Sequence, residues 1–229
     1  MDWLAEHWRE RARSELCVAS YSSRLLTQAI AADVPPAVVD MLAHAPSDEV
    51  RHTHVCLEMS RRHGGDGAWP EDAKSEPLAV PGLSANETTA LALVSHGCIN
   101  ETVANAWLER SLSVATNREA RAALRELLGD EIVHARTGWA FVGSPAFRPY
   151  RGLVAKYLTS MIRATLRVWT DPKAHVLPEG AHEHGVLSLS ETRQIAREAV
   201  ESLVLAGFDE AGISTARARD ALSHAGEGR

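Results

Sequence analysis

Several patterns are missing from this 229-residue chain, and each absence excludes something. No apolar run reaches the ~18–20 residues that a membrane span requires. The amino terminus, MDWLAEHWRERARSE, carries charge throughout and lacks the apolar stretch of a signal peptide, so the expectation is a cytoplasmic address. The three cysteines, Cys17, Cys56 and Cys98, are odd in number and far apart. They form no Cys-x-x-Cys pair and no disulfide framework, as fits reduced thiols. Alternating β-branched runs closed by Asn-Gly or Asp-Gly do not occur, which argues against a sheet protein. A basic excess is also lacking: the net charge is −6, and generic binding to nucleic acid or anionic membranes is not expected.

What remains is the composition of a globular protein with 45% hydrophobic and 24% charged residues. It suffices for one sizeable core, or one domain with an appendage. Helical periodicity dominates. The pattern predicts a first helix over about 3–31, closed by Pro35 and Pro36, and a second over about 36–63, with a kink or break at Pro46. A polar connection follows over about 64–82. Ser84 and Glu87 form a capping box that opens a third helix, which ends near Ala115-Thr116-Asn117. A fourth helix runs over about 118–142 and a fifth over about 146–170. A sixth is expected after Ser190 as N-cap, and the tail from about 212 reads as frayed. The layout is all-α: two antiparallel hairpins joined by a long crossover, a recognised four-helix-bundle wiring, over 1–142, with a helical extension over 143–229.

Two of these helices carry the same phrase. APSDEVRHTH (45–54) and LLGDEIVHAR (127–136) both contain Asp-Glu-x-x-His. Glu and His three apart lie about 60° apart on one helix face, close enough to grip one ion with an oxygen and a nitrogen. With 20 Glu and 11 His, chance supplies about one such match. There are three: Glu49/His52, Glu131/His134 and Glu179/His182. The last falls in a Gly-Pro loop and is the expected accident. The other two share a preceding Asp, and they pass a geometric test. In an antiparallel hairpin, residues at one level are equidistant from the turn. Reflecting Glu49 through a turn near 32 lands on position 15; reflecting Glu131 through a turn near 116 lands on position 101. Both positions are Glu.

The resulting set is Glu15, Glu49, His52, Glu101, Glu131 and His134. One Glu from each of two helices with Glu-x-x-His from the other two is the di-iron or di-manganese carboxylate pattern of ferritin-like bundles. Residues 1–142 therefore resemble the ferritin-like superfamily, which includes rubrerythrin-like proteins and di-iron oxygenases. The resemblance implies two iron ions, with manganese or a mixed manganese–iron pair as alternatives, since mixed nitrogen and oxygen ligation suits these metals. Four carboxylates neutralise two divalent ions. O2 or peroxide is the expected partner, together with an unidentified small-molecule substrate. Asp48 and Asp130 are expected outside the ligands, each accepting the second ring N–H of the His on the opposite helix.

Without a Cys-x-x-Cys pair the rubredoxin-like module of typical rubrerythrins is missing, so an external electron donor is required. Leu127 stands one turn before Glu131, which offers no seventh ligand there. Small residues stack near the ligands (Val18, Ala19 and Ser22 by Glu15; Cys98, Ala104 and Asn105 by Glu101), as for a substrate pocket or close helix packing. Cys56 follows His52 by one turn and, like Cys98, reads as a core thiol; Tyr21 and Trp107 read as packing aromatics. From Ile132 to Thr170 there is no acid, while Arg136, Arg148, Arg151, Lys156, Arg163 and Arg167 are present. Such a face suits solvent or a homodimer contact first, and otherwise an anionic substrate or an RNA. Three functions follow: a di-iron oxidase or oxygenase, a ferroxidase or peroxide scavenger, and a helical interaction module without metal.

Overall fold

The structure, a computed structural model, describes residues 3–73, 78–170 and 178–226. These form α1 (Trp3–Ala31), α2 (Pro36–Arg62), α3 (Ala85–Leu93), α4 (Glu101–Val114), α5 (Arg118–Gly143), α6 (Arg151–Trp169), α7 (Leu189–Ala199), α8 (Leu205–Glu210) and α9 (Ala216–Gly226). Among the described residues there is no strand, and no helix is long and apolar enough to cross a membrane. The protein is all-α.

Helix α1 folds back along α2, which opens with Pro36 at its first turn, where a missing N–H costs nothing. Ser84 caps α3 through the expected box with Glu87. Asn117 caps α5 by accepting from the N–H groups of Glu119 and Ala120, at 3.0 Å each. Helix α5 packs on both α2 and α4, and α3 on α1, so the long helices close a ring.

Two apolar clusters fill this ring, one at each end. One joins Trp8 and Ala12 of α1, Cys56 and Leu57 of α2, Leu108 of α4 and Leu124 and Leu127 of α5. The other joins Leu25, Leu42, Leu93, Ile99 and Phe141 with Leu158 and Phe208 of the later helices. The larger core therefore runs continuously into the carboxy-terminal segment. Between the clusters lies a belt of buried polar side chains at the level of Glu15, Glu49 and Glu131.

Several local expectations need correction. Helix α2 passes through Pro46 without a break. The expected third helix is one continuous run whose middle, Val94–Asn100, is wound as a π-helix between α3 and α4. Pro145–Tyr150 forms a 3₁₀ turn before α6 rather than its first turn. Ser188, not Ser190, caps α7, because Glu191 sits three residues beyond Ser188 and closes a capping box with it. The expected frayed tail instead forms α9, anchored by buried Ile213, Thr215 and Ala218. The 181–184 segment, on the surface, is wound as a 3₁₀ turn: the Glu183 carbonyl accepts from the N–H groups of Thr116 and Asn117 at 2.9 and 2.8 Å, bracing the α4–α5 corner. His182 there pairs with Glu191 at 2.9 Å.

Candidate metal centre

Four helical elements each deliver acids to the polar belt: Glu15 from α1, Glu49 and His52 from α2, Glu101 from the first position of α4, and Glu131 and His134 from α5. All six side chains belong to residues exposed by 8% or less. Donor atoms of Glu15, Glu49, His52 and Glu131 lie within 4.8 Å of one another, a group that can hold a metal ion. His134 joins it through Nδ1, 3.2 Å from Glu49 Oε1 and 3.3 Å from Glu131 Oε2. His52 Nδ1 is 3.4 Å from Glu49 Oε2, 3.8 Å from Glu131 Oε1 and 3.9 Å from Glu15 Oε2. Glu49 and Glu131 therefore each face both imidazoles, whereas Glu15 stands on the His52 side. Glu101 neighbours Glu131 and turns one oxygen, Oε1, to His96 Nδ1 at 2.9 Å.

These spacings match donors that share an ion. Two ligands at about 2.1 Å from one metal and at right angles to each other are about 3 Å apart. Both oxygens of Glu49 and Nδ1 of His52 are buried without a hydrogen-bond partner. Their contacts with the imidazoles are ion pairs without good hydrogen-bond geometry, so part of the cost of burying them is uncompensated, and a cation between them would remove it. The donor set thus fits a metal on chemical grounds.

The outward ring nitrogens are held across the helix pair. His52 Nε2 lies 3.0 Å from Asp130 Oδ2 of α5, and His134 Nε2 lies 3.3 Å from Asp48 Oδ2 of α2. Each aspartate thus serves the histidine of the other helix, and both inner nitrogens are left facing the acids. Arg51 lies between the two aspartates and binds both, Asp48 at 2.8 Å, and it also reaches Glu126. Arg11 pairs with Glu15 at 3.2 Å while stacking over Trp107, whose ring meets Trp169. Asn105 donates to the backbone carbonyls of Glu101 and Glu131 at 2.9 and 3.0 Å, tying α4 to α5 beside the acids. Its role is a cross-link rather than a pocket wall.

Without a metal, the electrostatics are those of crowded acids shared with protons. Burial pushes the Glu15 carboxyl well above its ordinary range; Arg11 opposes this, and Glu49 and Glu131 add to it. Burial and Glu101 raise Glu131 to about 7. Burial and Glu131 disfavour the charge on Glu49, but His134 and His52 outweigh them and lower it. Burial likewise opposes the charge on Glu101, and His96 outweighs it. Burial works against the imidazolium forms of His52 and His134, yet the surrounding carboxylates raise them to about 9 and about 11. Burial pushes the thiols of Cys56 and Cys98 up, so both are protonated core groups.

An apolar cleft opens on the His134 side, lined by Leu25, Leu42, Ala45, Leu93, His96 and Gly138 among others. Its free space, about 10 Å³, is that of a single water-sized molecule. Gly97 and Gly138 meet backbone to backbone at its edge; a Cβ on Gly138 would fall 2.6 Å from the Cys98 nitrogen.

His96, Arg11 and Arg51 were missed as site residues. Arg51 could have been found: it lies three residues past Asp48 on the motif helix. His96 could not, because five residues before Glu101 it stands on another face at α-helical spacing. Glu179 and His182 play no part in the cluster. No protein-family model, curated protein or solved structure matches the chain, so its own geometry carries the functional reading.

Proposed function

We propose that the chain is a ferritin-like, non-haem di-iron oxidoreductase, its four long helical segments forming the bundle, that acts on O2 or peroxide at a carboxylate-bridged centre. The observation that carries this reading is the placement of Glu49 and Glu131 between two imidazoles, each carboxylate turned toward both. Glu15, Glu49 and His52 would hold one ion and Glu101, Glu131 and His134 the other, with Glu49 and Glu131 shared. Four carboxylates then balance four positive charges. Manganese, alone or with iron, suits the same donors. Bound iron would supply the electrons and the open coordination positions for reducing a small oxidant.

The chain's own residues set the conditions for that chemistry. Asp130 and Asp48 fix the ring orientation of His52 and His134 and leave both Nδ1 atoms free to bind. Arg51 keeps the two aspartates in register at the rim. Arg11 offsets part of the charge on Glu15. Apolar Leu25, Leu42 and Leu93 keep bulk water from the His134 side, and the cleft they line has room for one water-sized molecule. An external donor would return to the iron the electrons passed to the oxidant.

The size of that cleft favours a second reading of the same centre: a ferroxidase or peroxide scavenger with no organic substrate. Elemental analysis of protein from iron-supplemented cells, followed by aerobic Fe(II) titration, tests both. About two irons per chain, lost in Glu131→Ala, is expected. Continued Fe(II) oxidation and accumulation supports the ferroxidase reading; arrest at two supports oxidation of a separate substrate. A wild-type chain that takes up no iron or manganese refutes the proposal and leaves the helical interaction module.

A further inference from the structure

The polar belt holds one more imidazole than the motif pair accounts for. His96 lies in the π-helical turn Val94–Asn100, with its side chain 12% exposed and its Nδ1 2.9 Å from Glu101 Oε1. We propose that His96 is a seventh protein ligand of the metal centre, a third imidazole that binds the ion on the Glu101 side. This rests on the di-metal reading above and extends it.

The backbone is built to bring His96 there. In an α-helix, residues five apart are rotated by about 140° and face different neighbours. Here the Glu101 N–H bonds to the His96 carbonyl, the five-residue link of a π-helix, which brings the two side chains onto one face. The wider turn needs room, and two glycines provide it. Gly97 and Gly138 touch backbone to backbone, where a Cβ on either would fall 2.6–2.8 Å from the other strand of the contact. Gly138 follows His134 by one turn, so the glycine contact fixes the π turn against the helix that carries the opposite ligand. The His96 ring rests against Tyr21, with centroids 4.8 Å apart, and it borders the same small cleft as His134. The 2.9 Å separation of Nδ1 from Oε1 is that of two donors at right angles on one ion.

The consequence is a lopsided centre. One position has a single imidazole, His52, with Glu15 and the shared acids. The other has two, His134 and His96, with Glu101 and the shared acids. Nitrogen-rich sites favour iron, cobalt and zinc over manganese, whereas carboxylate-rich sites suit manganese. The two positions therefore fill in order, the His96 side first with cobalt or iron.

Anaerobic Co(II) titration of the whole chain, followed by absorption, tests the assignment. His96→Asn is the informative variant, because its amide can still donate a hydrogen bond to Glu101 but binds metal poorly. The expected result is two Co(II) per wild-type chain in two resolved steps, with the tighter step weakened by about a hundredfold in His96→Asn and the weaker step unchanged. A second measurement needs no variant: in wild-type protein carrying 15N-histidine, Zn(II) should shift the ring nitrogens of three histidines. If His96→Asn titrates like wild type, or only two histidines respond, His96 is merely a hydrogen-bond partner and the assignment falls while the di-metal centre stands. If wild-type protein binds no divalent ion at all, the centre itself falls.

Discussion

Replacing Glu15 by Gln separates what the acids do for the fold from what they do for a metal. Burial holds the Glu15 carboxyl well above the usual carboxylate range, Arg11 pulling the other way and Glu49 and Glu131 adding to the rise. Without metal its environment therefore favours the neutral acid, and Gln reproduces the shape and polarity of that form. The metal-free variant should match the wild type within about 1 kcal/mol, which is about 2–4 °C in Tm for a chain of this size. Metal binding tells the two apart. An ion present at a hundred times its Kd stabilises the folded state by about 2.7 kcal/mol, or about 5–10 °C. Two ions should do this twice in the wild type. In Glu15→Gln the His52 position loses an anionic ligand, while the Glu101–Glu131–His134 position keeps its own, so half the thermal shift and one ion per chain should remain. Differential scanning calorimetry with and without Mn(II) or anaerobic Fe(II), paired with equilibrium dialysis, measures both quantities. Two ions retained at wild-type affinity would refute the ligand assignment. A metal-free Tm lowered by 10 °C or more would refute the upward direction of the Glu15 shift.

Asp48→Asn and Asp130→Asn should each weaken metal binding by about 10- to 100-fold without removing a ligand, as isothermal titration calorimetry would show; unchanged affinity would leave the two aspartates as rim charges only. Metal affinity should rise with pH between 6 and 8. His52 and His134 hold protons up to about 9 and about 11 in the metal-free protein, an incoming ion must displace both, and each displaced proton contributes about tenfold per pH unit. A flat profile across that range would show that the imidazoles do not bind. Gly138→Ala places a Cβ against the backbone of Gly97 and Cys98, and overpacking of that kind costs about 1–3 kcal/mol; thermal denaturation should show the loss, and full stability would mean that the two backbones separate freely.

The helical class and the level of the acids were legible because they depend on periodicity and hairpin symmetry. Antiparallel helices joined by a short turn must bring Glu15 opposite Glu49, and Glu101 opposite Glu131, whatever fills the core. The crossed aspartates follow from the repeated motif: Asp48 and Asp130 each precede a Glu-x-x-His, and with α2 packed on α5 each reaches the His of the other helix. The capping boxes set the starts of α3 and α7, although the choice between Ser188 and Ser190 depended on Glu191, three residues past the first and adjacent to the second. The tail was misjudged because two of its anchors, Ile213 and Ala218, join an apolar cluster built from residues distant in sequence, which no local pattern can report.

The π turn escaped detection for a different reason, and it matters most for the chemistry. Seven residues, VSHGCIN, carry no breaker and read as ordinary helix, because a π segment is not favoured by its own sequence and persists only where tertiary contacts compensate for its poorer geometry. Here those contacts are Gly97 on Gly138 and His96 on Glu101. Winding the chain this way also moves Cys98 off the face of Glu101, where α-helical spacing would place it, and into the apolar core among residues such as Leu25 and Phe141. A change of one residue per turn thus exchanges a thiol for an imidazole beside the fourth acid. Restoring α-helical winding, for example by deleting Ser95, should return a thiol to that face and remove the nitrogen, so the local cost of the π turn is offset by the donor it presents.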